Sequence, residues 1–247
     1  MKKSINCAVA VATAAFTASA ARAENILGID VSSGQGTINW TSVHSDGVEF
    51  AFVRATQGVV FEDPDFDTNM SNGKSAGVQM GAYDVSEPYA NTPAQEANYF
   101  WSYAGSYIKA DGKSISPAIT FTVFEGHDGT GSYTAWFNDW SADIQAKTSA
   151  SMNPAIYVAS CSGACDLTTN ITLAGWLANY NGENLYTGSP WSECVSCNPW
   201  DPNGNGGWTY WQVSDTGAIS GISGDVDLDA YDGTLASLKA SEGVGGK

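Results

Sequence analysis

The amino-acid sequence predicts an α/β fold, a (β/α) barrel whose final third is mostly β. Two observations support this prediction. Eight short runs of β-branched or other apolar residues have the length of strands, and longer amphipathic stretches separate the earlier runs. Strand followed by helix, repeated four or five times, is typical of a parallel sheet built from βα units, and eight strands suggest a closed barrel.

The eight predicted strands are rich in the β-branched and aromatic residues that favour strands. In chain order they are Ile26–Val31, Glu49–Ala55, Val78–Val85, Ala118–Phe124, Ala155–Ala159, Leu173–Tyr180, Trp208–Val213 and Asp225–Leu228. No helical stretch separates the last three, and residues 181–207 are instead a loop rich in Gly, Pro, Asn and Trp.

Four helices are predicted between the earlier strands, at Asn39–Ser45, Phe66–Ala76, Pro93–Tyr103 and Ser132–Lys147. The second follows an Asp-Pro pair. The third has Thr92 as its N-cap and a proline at its first position, where the missing N–H costs nothing. The fourth has apolar side chains at helical spacing, namely Trp136, Phe137, Trp140 and Ile144.

Residues 1–23 have the pattern of a secretory signal peptide. The segment begins with the basic pair Lys2-Lys3, continues with small apolar residues over 8–20, and ends in the A-x-A cleavage site Ala21-Arg22-Ala23. The sequence therefore predicts a secreted protein, extracellular or periplasmic. A single barrel domain is expected over residues 24–240, followed by a frayed tail over 241–247.

The chain is strongly acidic. Its 247 residues include 26 acidic and 10 basic ones, and loss of the leader removes three basic residues and no acidic one, so that seven basic residues remain and the net charge is −19. Binding to nucleic acid or to an anionic membrane depends on Lys and Arg, which excludes both as partners. We expect a monomer without a cofactor. A glycan would be held by neutral contacts, and nine Trp and eleven Tyr offer flat apolar rings with polar edges.

Four cysteines remain after the leader, Cys161, Cys165, Cys194 and Cys197. Their spacing also resembles that of zinc ligands, but an even number of cysteines in a secreted chain favours two disulfides over a metal site. Three connectivities stay open.

Polar and aromatic residues stand where the predicted strands end. In a βα barrel the loops that carry the chemistry gather at the C-terminal ends of the strands. This rule selects Asp30, Tyr83, Asp84, Glu125, Tyr157, Tyr180, Gln212 and Asp227.

A series of short motifs covers nearly the whole mature chain. They include Gly28-Ile29-Asp30-Val31-Ser32, Gln35-Gly36, Asn39-Trp40, Phe52-Val53-Arg54-Ala55-Thr56, Asp63-Pro64, Gly81-Ala82-Tyr83, Ile156-Tyr157, Trp176-Leu177-Ala178-Asn179-Tyr180, Trp211-Gln212, and Gly221-Ile222-Ser223-Gly224 leading to Val226-Asp227. In this order they resemble the family 25 glycoside hydrolases, the Chalaropsis-type lysozymes or muramidases. The resemblance implies an irregular TIM-like barrel of five βα units followed by three strands.

The resemblance also implies an activity, cleavage of the β-1,4 bond between N-acetylmuramic acid and N-acetylglucosamine in peptidoglycan. The family's acidic cleft has an Asp on the first strand, an Asp-x-Glu on the fourth and an Asp near the last. Asp30 and Asp227 match the first and last of these positions.

The fourth strand departs from this pattern. Counting without gaps from Pro117 places Thr120 and Thr122 over the Asp-x-Glu pair, whereas a slip of two or three residues places Glu125 over the Glu. Alternate residues of a strand share one face, so Thr120 and Thr122 lie on one face and Glu125 on the other. The face that points to the barrel axis decides between the two alignments. A threonine hydroxyl is too weak an acid to protonate a leaving group, whereas Glu125 can do so.

Two hypotheses follow. In the first, the protein is a lysozyme that uses Glu125 as the general acid and Asp30 with Asp227 as supporting carboxylates. In the second, an inactive barrel binds peptidoglycan or chitin without cutting it. The substrate contacts expected in either case are Tyr83, Asp84, Tyr157, Trp176, Tyr180, Trp211 and Gln212.

The rim departs from the family pattern as well. The family's Lys-Ala-Thr-Glu-Gly reads Arg54-Ala55-Thr56-Gln57-Gly58, and its Tyr-His-Phe reads Tyr83-Asp84-Val85. Such changes are expected from relaxed catalytic selection or from selection for another ligand.

Overall fold

A computed structural model describes residues 24–109, 111–121, 133–148, 152–192, 198–200 and 207–241. Its strands are β1 Ile26–Val31, β2 Phe50–Gln57, β3 Phe61–Glu62, β4 Gln79–Val85, β5 Ala118–Phe121, β6 Ala155–Val158, β7 Ala174–Ala178, β8 Tyr210–Gly217 and β9 Val226–Tyr231. Its α-helices are α1 Trp40–Ser45, α2 Phe66–Ala76, α3 Pro93–Ala104, α4 Tyr133–Lys147, α5 Cys161–Ala164 and α6 Leu235–Ser241.

The strands form one closed sheet. Its order is β1-β9-β8-β7-β6-β5-β4-β2, and β1 pairs with β2 to close the ring. All neighbours are parallel except β9, which runs antiparallel to both β8 and β1. The short β3 extends β2 as a hairpin outside the ring. Five βα units followed by three strands make an irregular eight-stranded barrel, and the predicted fold class is confirmed.

The predicted helices agree closely with the structure. The α3 helix begins at the predicted proline, and the Thr92 hydroxyl accepts a hydrogen bond from the Gln95 amide in a capping box. The prediction omitted β3, α5 and α6, because two- and four-residue elements are too short to show a period and α6 contains mainly small residues.

Side-chain alternation divides the core into two layers. On β2, Phe50 and Phe52 point into the barrel, where the Phe52 ring stacks on Trp176 at 4.6 Å, while Ala51 and Val53 face the surrounding helices. A glycine is required at position 28 of β1, since a Cβ there would lie 2.2 Å from the Phe50 ring. Aromatic rings therefore fill the lower barrel, and polar side chains are left at the C-terminal ends of the strands.

Candidate active site

A cleft of about 220 Å³ opens at the C-terminal ends of the parallel strands. It is lined by Asp30, Tyr83, Val85, Thr120, Tyr157, Trp176, Tyr180, Gln212 and Asp227. A larger surface depression of about 520 Å³ lies beside Trp40, but no residue of its lining is ionisable. The cleft in the barrel mouth is therefore the candidate active site.

Three carboxyl groups meet at the floor of this cleft. Asp30 and Asp227 are paired across β1 and β9, and Asp229 lies on the same face of β9 two residues further on. The Asp30 carboxyl interacts with both of the others, and Asp227 faces it directly across the ladder. Gln212 Nε2 donates to Asp30 Oδ2 at 2.7 Å, and Trp176 Nε1 donates to Asp229 Oδ1 at 2.8 Å.

Burial raises the pKa of all three groups. Repulsion within the cluster raises the pKa of Asp30 and Asp229 further, while for Asp227 the repulsion comes from Asp215 and the contact with Asp30 lowers the pKa. Asp229 Oδ2 has no N–H or O–H donor among the described residues. The half-buried Asp227 is more exposed than the other two and is the one that most readily ionises. Burial thus favours the protonated forms of Asp30 and Asp229 more strongly than that of Asp227, which is the most accessible carboxyl group of the cluster.

This cluster makes stability depend on pH. Because the pKa of Asp229 is higher in the folded than in the unfolded chain, the folded state keeps a proton that the unfolded state releases above about pH 4. The stabilising contribution is therefore complete below about pH 4 and is lost as pH rises through the folded pKa. Asp229→Asn keeps the Trp176 contact without the charge.

The free energy of unfolding of the wild type should fall as pH rises above about 4. We expect Asp229→Asn to make this slope shallower by up to about 1.4 kcal/mol per pH unit, which is the slope that one bound proton contributes. Urea denaturation at a series of pH values measures it. Asp67→Asn, on the exposed side of α2, is the matched control. Equal slopes for wild type and Asp229→Asn would contradict the assignment.

Two tyrosines fix the amide that holds Asp30. Tyr157 Oη and Tyr180 Oη both donate to Gln212 Oε1, at 2.9 and 2.7 Å, so that the Gln212 amino group points at Asp30. Burial raises the pKa of both phenols, which remain protonated donors. Tyr157 also makes an edge contact with Trp176 at 5.0 Å, and Tyr180 is 49% exposed at the cleft mouth. Rings and hydroxyls in this arrangement suit a sugar ligand.

Thr120 faces the same cleft from β5. Its side chain is 5% exposed and its hydroxyl has no hydrogen-bond partner within the described ranges. On the opposite face of β5, Phe121 packs on Phe137 of α4. Thr120, which the gap-free alignment places over the first carboxylate of the family pair, thus lies on the cleft face of β5. Thr122 and Glu125 lie outside the described residues.

Two predicted contact residues do not reach the cleft. Asp84 is on the opposite face of β4 from Tyr83 and Val85, fully buried, and accepts a hydrogen bond from Thr56 Oγ1 at 2.7 Å. Trp211 points outward from β8, packs on Trp208, and donates from Nε1 to the Asn179 carbonyl. Both corrections have one cause. The position of a residue along its strand sets its height in the barrel, but whether its side chain points inwards or outwards alternates from one residue to the next.

The sequence analysis did not select Asp229. Its spacing of two from Asp227 was a signal that both share one strand face. Cys161 and Cys165 are disulfide-bonded, while Cys194 and Cys197 lie outside the described residues. In the described ranges no group of three His, Cys, Asp or Glu could hold a metal ion, and no helix is long and apolar enough to span a membrane.

A closed βα barrel with clustered carboxyl groups and aromatic rings in its mouth defines the class of barrel glycosidases. Residues 29–222 match the model of glycosyl hydrolases family 25. The chain belongs to this family, as its motifs predicted.

Two curated relatives and one solved structure show the extent of the similarity. Lysozyme M1 of Streptomyces globisporus is 32% identical, with 87% of this chain and 70% of that protein aligned. The N,O-diacetylmuramidase of Chalaropsis sp is 26% identical over 82% of this chain and 96% of that one. The bacterial lysozyme from Streptomyces coelicolor superposes with a TM-score of 0.71 at 31% identity, covering 88% of this chain and 97% of that chain.

Proposed function

We propose that the protein is a muramidase that cleaves the β-1,4 bond between N-acetylmuramic acid and N-acetylglucosamine in peptidoglycan. The observation that carries this proposal is the contact between Asp30 and Asp227 at the floor of a cleft with aromatic walls. Relatives named as lysozyme and diacetylmuramidase support it.

We assign the Asp30–Asp227 pair one catalytic role rather than two. Glycosidases that use two carboxyl groups place them on opposite sides of the bond, about 5 Å or more apart. Asp30 and Asp227 instead face each other directly across the β1–β9 ladder, side by side at one wall of the cleft. The pair therefore stabilises positive charge on the sugar or orients the acetamido group of the substrate. The proton donor must come from elsewhere. Thr120 on the cleft face favours the gap-free alignment within β5, but the described part of that strand stops at Phe121, and strand parity applies no further. We propose Glu125, four residues later in the sequence, as the proton donor.

A second candidate function is glycan binding without cleavage. The observation that favours it is Thr120, which occupies the cleft face of β5 with an unpartnered hydroxyl. If Thr120 and Thr122 stand at the two carboxylate positions of the family, the proton donor is missing, and Tyr157, Tyr180 and Trp176 would hold a sugar that is never cut.

The bond that is cleaved tests the first candidate. Digestion of purified peptidoglycan followed by borohydride reduction and mass spectrometry should find muramitol at the new ends. Glucosaminitol at those ends would contradict the assignment, because it marks cleavage of the other glycosidic bond.

We further propose that the protein is secreted after removal of residues 1–23 and that its four remaining cysteines form two disulfides. The leader pattern and the two disulfide-bonded cysteines support this. Intact mass under non-reducing conditions should match residues 24–247 less four hydrogens. A retained leader or an alkylatable thiol would overturn the corresponding part.

A further inference from the structure

Arg54 lies next to the candidate active site, as the strand neighbour of Tyr83 in its lining. It lies on the same face of β2 as Phe52, which points into the barrel, and it is one layer higher. In the β2–β4 ladder it is the partner of Tyr83, which lines the cleft, and in the β1–β2 ladder Phe52 is the partner of Asp30. The Arg54 side chain therefore stands beside Tyr83, one layer above the carboxyl cluster.

The guanidinium group is held in place from two sides. Arg54 Nε donates to Asp63 Oδ2 at 2.9 Å, and Asp63 is fully buried and also accepts from the Ser33 amide. The guanidinium carbon lies 4.8 Å from the centre of the Phe61 ring. One of the five donors is thus engaged. The terminal nitrogens have no partner in the described part of the chain, and the side chain is 24% exposed.

No other described basic residue stands at this end of the barrel. Lys74, Lys147 and Lys239 lie in the last turns of α2, α4 and α6, and Lys109 and Lys113 lie between α3 and β5. The ends of α2 and α4 and the segment before β5 are at the N-terminal ends of the parallel strands, away from the cleft. The rest of the chain is strongly acidic. An anionic group on a ligand in the cleft is therefore repelled everywhere except at Arg54.

A preorganised guanidinium with a free pair of N–H groups matches the two oxygens of a carboxylate. We propose that Arg54 binds a carboxylate carried by the muramic acid residue of the glycan, either its lactyl group or its peptide stem, and thereby selects peptidoglycan over neutral chitin. This inference rests on the proposed function and adds the group that sets its specificity. Asp63 and Phe61 act as positioning residues.

The test compares affinities for three tetrasaccharides by isothermal titration calorimetry. They are chitotetraose, which is neutral, and two peptidoglycan tetrasaccharides, one with free lactyl carboxylates and one with peptide stems. Wild type should bind at least one carboxylated sugar about tenfold more tightly than chitotetraose, as expected for charge-assisted hydrogen bonds, and added salt should reduce that ratio. The sugar that shows the preference identifies the source of the carboxylate.

Arg54→Gln should bring the affinity ratio close to one. Lys147→Gln removes the same charge at the far end of the barrel and should keep the wild-type ratio. Arg54→Gln leaves Asp63 buried without its cation, so Arg54→Lys serves as a second variant. Lysine keeps the positive charge but lacks the paired N–H groups of the guanidinium, and the affinity ratio should therefore be about threefold or more below that of wild type.

A wild-type ratio near one, or a wild-type ratio retained by folded Arg54→Gln or by Arg54→Lys, overturns the assignment of Arg54 while the muramidase proposal stands. Failure of wild type to bind any of the three sugars overturns both. Thermal unfolding of each variant reports whether it is folded.

Discussion

Replacement of Glu125 by Gln is expected to lower the rate of peptidoglycan hydrolysis by about 10²–10⁴-fold, the usual contribution of a general acid. The amide keeps the shape of the side chain and loses the proton that the leaving oxygen needs. Binding to sedimented peptidoglycan should remain as in wild type. Release of reducing ends, measured together with a pull-down on the same material, gives both quantities.

A matched control is Asp128→Asn, which removes a carboxylate three residues away and should leave the rate unchanged. A Glu125→Gln rate equal to that of wild type would contradict the role of Glu125. In that case the gap-free alignment holds, and the double change Thr120→Asp with Thr122→Glu restores the carboxyl pair of the family and should increase lysis.

Replacement of Asp30 by Asn is expected to lower hydrolysis by about 10²-fold or more, because the amide can neither exchange a proton nor take up negative charge as positive charge develops on the sugar. The fold should not suffer. Burial already disfavours the ionised form of Asp30, and the amide oxygen can still accept from Gln212. Rate and melting temperature together separate a catalytic role from a structural one.

Asp84→Asn is the control for this prediction, since Asp84 is also buried near the C-terminal end of its strand but lies on the outer face of β4. Its rate should stay within about twofold of wild type, within the scatter expected of a substitution away from the site. If Asp84→Asn lost activity and Asp30→Asn did not, the chemistry would lie outside the cleft described above.

The barrel could be predicted from the sequence because four of the five βα units have a strand-length apolar run followed by a stretch with a helical pattern. Thr92 and Pro93 at the beginning of α3 are one example. The last three strands were predicted from their apolar runs, and the lack of a helical pattern between them indicated that they follow one another without helices. The hairpin strand β3 could not be found, since two exposed residues, Phe61 and Glu62, have no detectable pattern.

The candidate site could be predicted only in part. Strand ends placed Asp30, Tyr157 and Gln212 correctly in the cleft. The same rule wrongly included Asp84, because it considers how far along its strand a residue lies and not which face of the strand its side chain occupies. It also missed Asp229, and the hydrogen bond that Trp176 of β7 donates to Asp229 of β9 joins residues far apart in the sequence and has no local signal there.

Arg54 shows what a motif comparison leaves out. The motif showed an Arg in place of the family's Lys, but the sequence could not show that Asp63 and Phe61 would fix its guanidinium beside Tyr83. The hairpin made by β2 and β3 brings these groups together. A short element that the sequence did not predict therefore creates the proposed specificity contact.

The central claim is that this cleft cuts peptidoglycan, and a turbidity assay with a parallel pull-down tests it most directly. Purified wild-type protein lacking residues 1–23 is added to a suspension of purified peptidoglycan, and optical density and sedimented protein are followed together. We predict that the suspension clears. Protein that sediments with peptidoglycan while the optical density stays constant would contradict the claim and establish the barrel as a binding protein.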